Sequence, residues 1–293
     1  MQAELIADTR CATGESPVWL ASEQALYWAD IPTGRQWRWQ AGALSHRDAP
    51  EVLACMAPVA GSAEWVAGMG SGVFCLQPEV GLHLAAERLA TVAHARDGMR
   101  FNDGRCDRQG RFWAGTMLMN MAAAAPVGVL YRYTTAGGLA PVLDGFITPN
   151  GLAFSPDGRT MYLSDSHPTV QSIWAFDYDV DTGTPHNRRL FVDMTPLPGR
   201  PDGAAVDADG CYWICGNDAG LVHRFTPDGR LDRSLPVPVK KPAMCAFGGA
   251  GLDTLFVTSI RPDGVDLSDQ PLAGGVFALN PGVKGLEEPA FRR

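Results

Sequence analysis

The sequence predicts a six-bladed β-propeller over residues 1–293, and three observations carry that prediction. Short strand-like runs recur at intervals of about 40 to 50 residues, glycine-based turns stand between them, and no long amphipathic helix interrupts the pattern. Length alone would allow two domains, but all-β chains of this size often form one, and the repeat assigns the whole chain to a single propeller domain.

The elements follow in order. Ala25-Leu-Tyr-Trp-Ala29, Arg111-Phe-Trp-Ala114, Thr160-Met-Tyr-Leu163, Cys211-Tyr-Trp-Ile214 and Thr254-Leu-Phe-Val257 each read as one strand. Turns precede several of them, as in Asp107-Arg-Gln-Gly110, Ser155-Pro-Asp-Gly158 and Asp207-Ala-Asp-Gly210, where Gly supplies the positive φ of a hairpin. A third run follows each strand: Gln36-Trp-Arg-Trp39, Gly128-Val-Leu-Tyr-Arg-Tyr133, Ser172-Ile-Trp-Ala-Phe176, Gly220-Leu-Val-His-Arg-Phe225 and Gly275-Val-Phe-Ala-Leu279. Four strands at this period make a blade. First-strand anchors at Pro17, Pro58, Asn102, Asn150, Asp202 and Pro242 count six blades. A β-sandwich lacks a four-strand repeat of this length, and the coils of a β-helix are much shorter.

Composition narrows the function. A formal charge of −8 with no Lys/Arg run argues against nucleic acid as a partner. Residues 1–10 carry acids and lack the apolar core of a signal peptide, and no later run is long enough to span a bilayer. The expectation is a soluble cytoplasmic protein without membrane partners, a monomer or weak homo-oligomer. Seven scattered cysteines fit a reducing compartment and read as small core hydrophobes.

Innermost strands line a propeller's channel, so polar residues at the start of successive blades converge there. The segments Gly14-Glu15-Ser16-Pro17, Arg100-Phe101-Asn102-Asp103-Gly104, Pro149-Asn150-Gly151 and Pro201-Asp202-Gly203 are read as setting a carboxylate or carboxamide at one equivalent position on four blades. Taken singly, Asn-Gly and Asp-Gly are turn dipeptides; their repetition at one place favours a site. Two carboxylates and two amides without His or Cys make an oxygen-only set, suited to one divalent cation such as Ca²⁺, Mg²⁺ or Mn²⁺ rather than a structural zinc.

At these residues the chain resembles the family of senescence marker protein (regucalcin), gluconolactonase and luciferin-regenerating enzyme over essentially its full length. Gly115-Thr116-Met117, Phe247-Gly248-Gly249 and Leu272-Ala273-Gly274-Gly275 extend the likeness in the right order. The resemblance implies a cation held by Glu15, Asn150 and Asp202, with Arg100 and Asn102 reaching a sugar's hydroxyls. Ca, Mn, Mg, Zn and Fe(II) are all candidates for the ion. The implied activity is hydrolysis of an aldonolactone such as glucono-, xylono- or arabinonolactone. Mammalian members resemble Thr-Met-Ala-Glu-Glu where this chain reads Thr116-Met117-Leu118-Met119-Asn120, so the neutral Asn120 matches a substrate-facing acid. That exchange points to a small sugar lactone with an anionic substituent as a further substrate.

A lactone is an activated ester, so the chemistry needs a polarised carbonyl and a delivered water. Asp202 is the candidate catalytic residue for the water, and Arg100, cationic throughout, for substrate binding and oxyanion stabilisation. The rival readings are a non-catalytic calcium-binding protein, a protein-interaction platform and a metal-dependent esterase or phosphotriesterase. Asp177-Tyr-Asp-Val-Asp181-Thr-Gly183 departs from a calcium loop because its Gly falls one place late, and reads as an exposed turn. Gly68-Met-Gly-Ser-Gly72 reads as a tight hairpin. None of the six His residues forms a metal pair; five are expected on loops or solvent faces, and His167 could reach the channel mouth.

Overall fold

Alternating apolar and polar residues, broken by glycine turns, fold the chain into six four-stranded antiparallel sheets, in a computed structural model that describes residues 3–79 and 81–293. The sheets are the blades of a β-propeller. Their first strands are Gly14–Leu20, Leu53–Pro58, Met99–Cys106, Pro149–Phe154, Arg200–Val206 and Pro242–Gly248, and these pack against one another around the central channel. All six sequence anchors lie on them. The described residues contain no α-helix, only a 3-10 turn at Met121–Ala123, and none long and apolar enough to cross a membrane.

The second and third strands also fall where the periodic runs predict them, as Phe112–Leu118 and Gly128–Thr134 do in blade three. The sixth blade departs from simple repetition. Its first three strands are Pro242–Gly248, Thr254–Ser259 and Val276–Leu279, but its outer strand is Glu4–Ala7 from the other end of the chain. Glu4 stands opposite Ala278 and Leu5 opposite Phe277, so hydrogen bonds between distant segments close the ring. Closure in this way ties the two ends of the chain into one sheet.

The core lies between neighbouring blades. Trp113, Leu152, Phe154 and Phe176 fill the space between blades three and four, and Trp213, Cys245, Phe247 and Phe277 the space between five and six. Burying each such large side chain is worth roughly 1.5–3 kcal/mol. All seven cysteines are buried and free.

Two hairpin turns read from the sequence do more than reverse the chain. In Asp207-Ala-Asp-Gly210 the fully buried Asp207 accepts from Asp209 N, Cys211 N, Trp213 Nε1 and Arg224 Nε at 2.8 to 3.0 Å. Asp107 repeats the device, accepting from Gln109 N, Arg111 N and Tyr178 OH. The Gly68–Gly72 segment forms the expected hairpin, and Asp179 caps an exposed turn through Asp181 N and Thr182 N. His223 departs from the solvent-face expectation for its group. It is fully buried, bonded to Ser234 Oγ at 2.7 Å and Pro198 O at 2.9 Å, because its strand faces a neighbouring inter-strand loop rather than water.

The C-terminal segment crosses the face opposite the starts of the inner strands. Gly285 bridges to Asp207, Phe291 to Val59, and Arg292 N donates to Gly110 O. Glu288 meets Arg105 at 3.1 Å, so this strap closes the lower end of the channel.

Candidate functional site

The site is built on β-bulges. On five inner strands two residues face one on the neighbouring strand: Ser16 and Pro17 face Trp28, Asn102 and Asp103 face Gly115, Gly151 and Leu152 face Leu163, Asp202 and Gly203 face Cys215, Ala243 and Met244 face Thr258. A bulge bends its strand and re-aims side chains, a common device beside active sites. The single equivalent position expected from sequence is in fact two. Glu15 and Asn150 precede the bulge, whereas Asn102 and Asp202 are its first residue. In blades one and four that first residue is left-handed, Ser16 at φ 51° and Gly151 at φ 61°; in blades three and five it is not.

These side chains are buried at the start of the inner strands. Asn102 Nδ2 donates to Asn150 Oδ1 and to Pro149 O, each at 3.1 Å. Asn150 Nδ2 donates to Ser166 Oγ at 3.0 Å, which turns its carbonyl oxygen toward Asn102. Arg100 Nη1 donates to Asn102 Oδ1 at 2.8 Å and to Phe101 O at 2.7 Å. Asp202 Oδ2 accepts from Asn217 Nδ2 at 2.5 Å. Lys241 reaches both Asn217 and Asp218, and Arg200 holds Asp218 at 2.7 Å.

Electrostatics mark the cluster as short of positive charge. Burial pushes the Glu15 carboxyl well above the usual carboxylate range, and the charges of Asp202 and Asp103 push it further. Burial raises Asp202 to about 7, against a lowering bond from Asn217 and the charge of Arg200. Asp103 is also raised by burial, and its Oδ1 is buried without a partner. Burial lowers Arg100 to about 10, while Glu15 and Asp202 act to raise it. Buried carboxyls that stay raised despite the charges of Arg100, Arg105, Arg200 and Lys241 favour a bound cation.

Among the described residues no three His, Cys, Asp or Glu side chains converge as a metal cluster. The donor set is instead mixed, two carboxylates and carboxamide oxygens, all hard ligands that leave further positions for water or substrate. On donor chemistry and charge these residues fit a divalent cation.

The structure thus brings Glu15, Arg100, Asn102, Asn150 and Asp202 into one electrostatically linked cluster. Asn120 lies apart from it, exposed on the loop after Leu118, with Oδ1 accepting from Ala122 N at 3.1 Å as the cap of the 3-10 turn. That loop is nevertheless on the site's face, since Leu118 and Met117 pair with Met99 and Arg100 and Thr148 Oγ1 lies 4.0 Å from Met121 Sδ. His167 caps the turn after Asp165, with Nδ1 at 2.8 Å from Thr169 Oγ1. Sequence reasoning missed Asn217 and Ser166. Both end or follow second strands whose apolar pattern, Cys211-Tyr-Trp-Ile214 and Thr160-Met-Tyr-Leu163, announces a strand and nothing about its polar tip.

Fold and site together define a six-bladed propeller with an acidic, carboxamide-lined channel mouth. The model of the SMP-30/gluconolactonase/LRE-like region matches residues 13–261, and the chain belongs to this family. It is 39% identical over 282 residues to a 6-deoxy-6-sulfogluconolactonase of Pseudomonas putida, covering 95% of this chain and 94% of the relative. It is 33% identical to a pentonolactonase of Haloferax volcanii, covering 100% of this chain and 98% of the relative. The crystal structure of a calcium-binding protein, regucalcin, from Agrobacterium tumefaciens superposes with a TM-score of 0.92 at 27% identity, over 100% of this chain and 98% of that one.

Proposed function

We propose that the protein hydrolyses sugar lactones with the help of one divalent cation held by Glu15, Asn150 and Asp202. The observation that carries this reading is the buried cluster of Glu15, Asn102, Asn150 and Asp202 at the starts of the inner strands, in which the Asp202 charge adds to burial in raising Glu15 and Arg100 stands within the field of both acids. Relatives named as lactonases support the reaction class. When bound, the cation would supply Lewis-acid polarisation of the lactone carbonyl.

The chain's own residues do the rest. Asp202, with one oxygen held by Asn217, presents the other to the attacking water and orients it. Arg100 and Asn102, locked to each other at 2.8 Å, bind the sugar hydroxyls, and the Arg100 charge stabilises the developing oxyanion. The substrates are aldonolactones, both neutral and with an anionic group at the far end. Arg200 and Lys241 beside Asp202 and the uncharged Asn120 support the anionic case.

The test follows proton release from a panel of neutral and sulfonated aldonolactones, with Ca²⁺, Mn²⁺ or Mg²⁺ and with chelator. Turnover abolished by chelator and restored by one of these ions is the expected result. Turnover indifferent to chelator removes the cation from the reading, and no turnover with any ion leaves a calcium-binding protein.

A further inference from the structure

We infer that Ser16 is a positioning residue: its left-handed backbone aims Glu15 into the channel, and its hydroxyl holds that backbone in place. This rests on the assignment of Glu15 as a cation ligand.

Ser16 is buried, with φ 51°, a region that L side chains enter at an energetic penalty and that clusters at functional sites. Its surroundings hold it there. Ser16 Oγ accepts from Met56 N at 2.9 Å and donates to Met56 O at 3.3 Å, a two-way clasp onto the inner strand of blade two. Ser16 N in turn donates to Glu15 Oε2 at 3.2 Å.

The comparison between blades gives the conformation its purpose. Blade four, opposite blade one across the ring, repeats it with Gly151 at φ 61°, and there too the residue before the bulge, Asn150, enters the site. Blades three and five have no left-handed residue at that place, and there the site side chain is the first bulge residue, Asn102 or Asp202. The sign of one φ therefore selects which of two successive side chains enters the site. Gly151 reaches this φ without a penalty, and Tyr212 OH and Ser164 Oγ leave no space there for a Cβ. Blade one carries a side chain instead and needs the Met56 clasp.

The test compares Ser16→Ala with Ser16→Gly by calorimetric titration of Ca²⁺ into chelator-stripped protein, with Glu15→Gln as control. Both variants lose the clasp, so a purely structural role lowers Tm in both and leaves their affinities alike. Glycine enters the left-handed region without a penalty, whereas alanine without the clasp does so only at a cost. The expectation is a tenfold or greater loss of Ca²⁺ affinity in Ser16→Ala, with Ser16→Gly within about threefold of the native protein. Equal affinities in the two variants, or native affinity in Ser16→Ala, overturn the inference. Should Ser16→Ala not fold, Ser16→Asn and Ser16→Thr make the same comparison: Asn tolerates φ > 0 and should bind, while Thr keeps a hydroxyl but resists φ > 0 and should not. A native protein that binds neither Ca²⁺ nor Mn²⁺ refutes the cation site itself and is distinct from either outcome.

Discussion

Replacing Asp202 with Asn should change how the stability of the metal-free protein depends on pH. Burial holds the Asp202 carboxyl at about 7 against an ordinary 3.8, so between those values the folded chain keeps a proton that the unfolded chain has released. A raised carboxyl adds stability that is complete below about pH 4 and is lost as pH climbs through about 7. At 1.36 kcal/mol per unit, a gap of about three units amounts to about 4 kcal/mol lost across that window. Arg200 and Lys241 lie near enough to Asp202 to favour its ionised form, and Asn217 does not titrate. Glu15 has the same sign and remains in the variant, with less to oppose its ionisation once the Asp202 charge is gone. His223 works the other way. Burial lowers it from 6.5, so its stability is lost as pH falls below that value. His223 is present in both proteins and cancels from the difference between them, which reports Asp202 together with its effect on Glu15. Urea unfolding in chelator from pH 5 to 8 should show Asp202→Asn gaining at least about 2 kcal/mol on the native protein as pH rises. A difference that is flat with pH, or that favours the variant more at pH 5, refutes the account of Asp202 as a buried, proton-holding carboxyl. Saturating Ca²⁺ should reverse the native trend, since cation and proton compete for the same oxygens.

Asn217→Leu should lower kcat/KM about tenfold to a hundredfold, because a hydrogen bond to a charged group is worth about 1.5–3 kcal/mol; proton-release kinetics on the folded variant check it. Asp207→Asn should destabilise the fold by about 3–5 kcal/mol, since it strips charge from a fully buried carboxylate paired with Arg224, whereas Asp232→Asn on the same guanidinium should cost under about 1; urea midpoints separate the two. Asn120→Glu should shift kcat/KM against a sulfonated lactone relative to a neutral one by no more than about fivefold, because the position is exposed and screened. An unchanged ratio places Asn120 outside the substrate's field.

The sequence by itself determined the strands, their number and the six-fold repeat, because those follow from local rules: apolar alternation makes Ala25-Leu-Tyr-Trp-Ala29 a buried strand, and Asp-x-x-Gly makes a turn, whatever surrounds them. It also placed Glu15, Arg100, Asn102, Asn150 and Asp202 at the starts of inner strands, where any propeller directs them toward its channel. Asn120 was legible only as a departure from a motif, and its place as an exposed cap was not. Tertiary structure decided what depends on contacts between distant residues. Nothing in Glu4-Leu-Ile-Ala7 indicates that it completes a sheet begun at Pro242, because a strand's partner is chosen by ring closure rather than by its own residues. The two bulge registers were likewise hidden. Glu15-Ser16 and Asp202-Gly203 read alike as acid-plus-small dipeptides, yet Met56 of the neighbouring blade clasps Ser16 in a left-handed conformation that Asp202 does not share. A one-residue change in which side chain faces the channel is invisible to a pattern of period two, and only the packing of one blade on the next settles it.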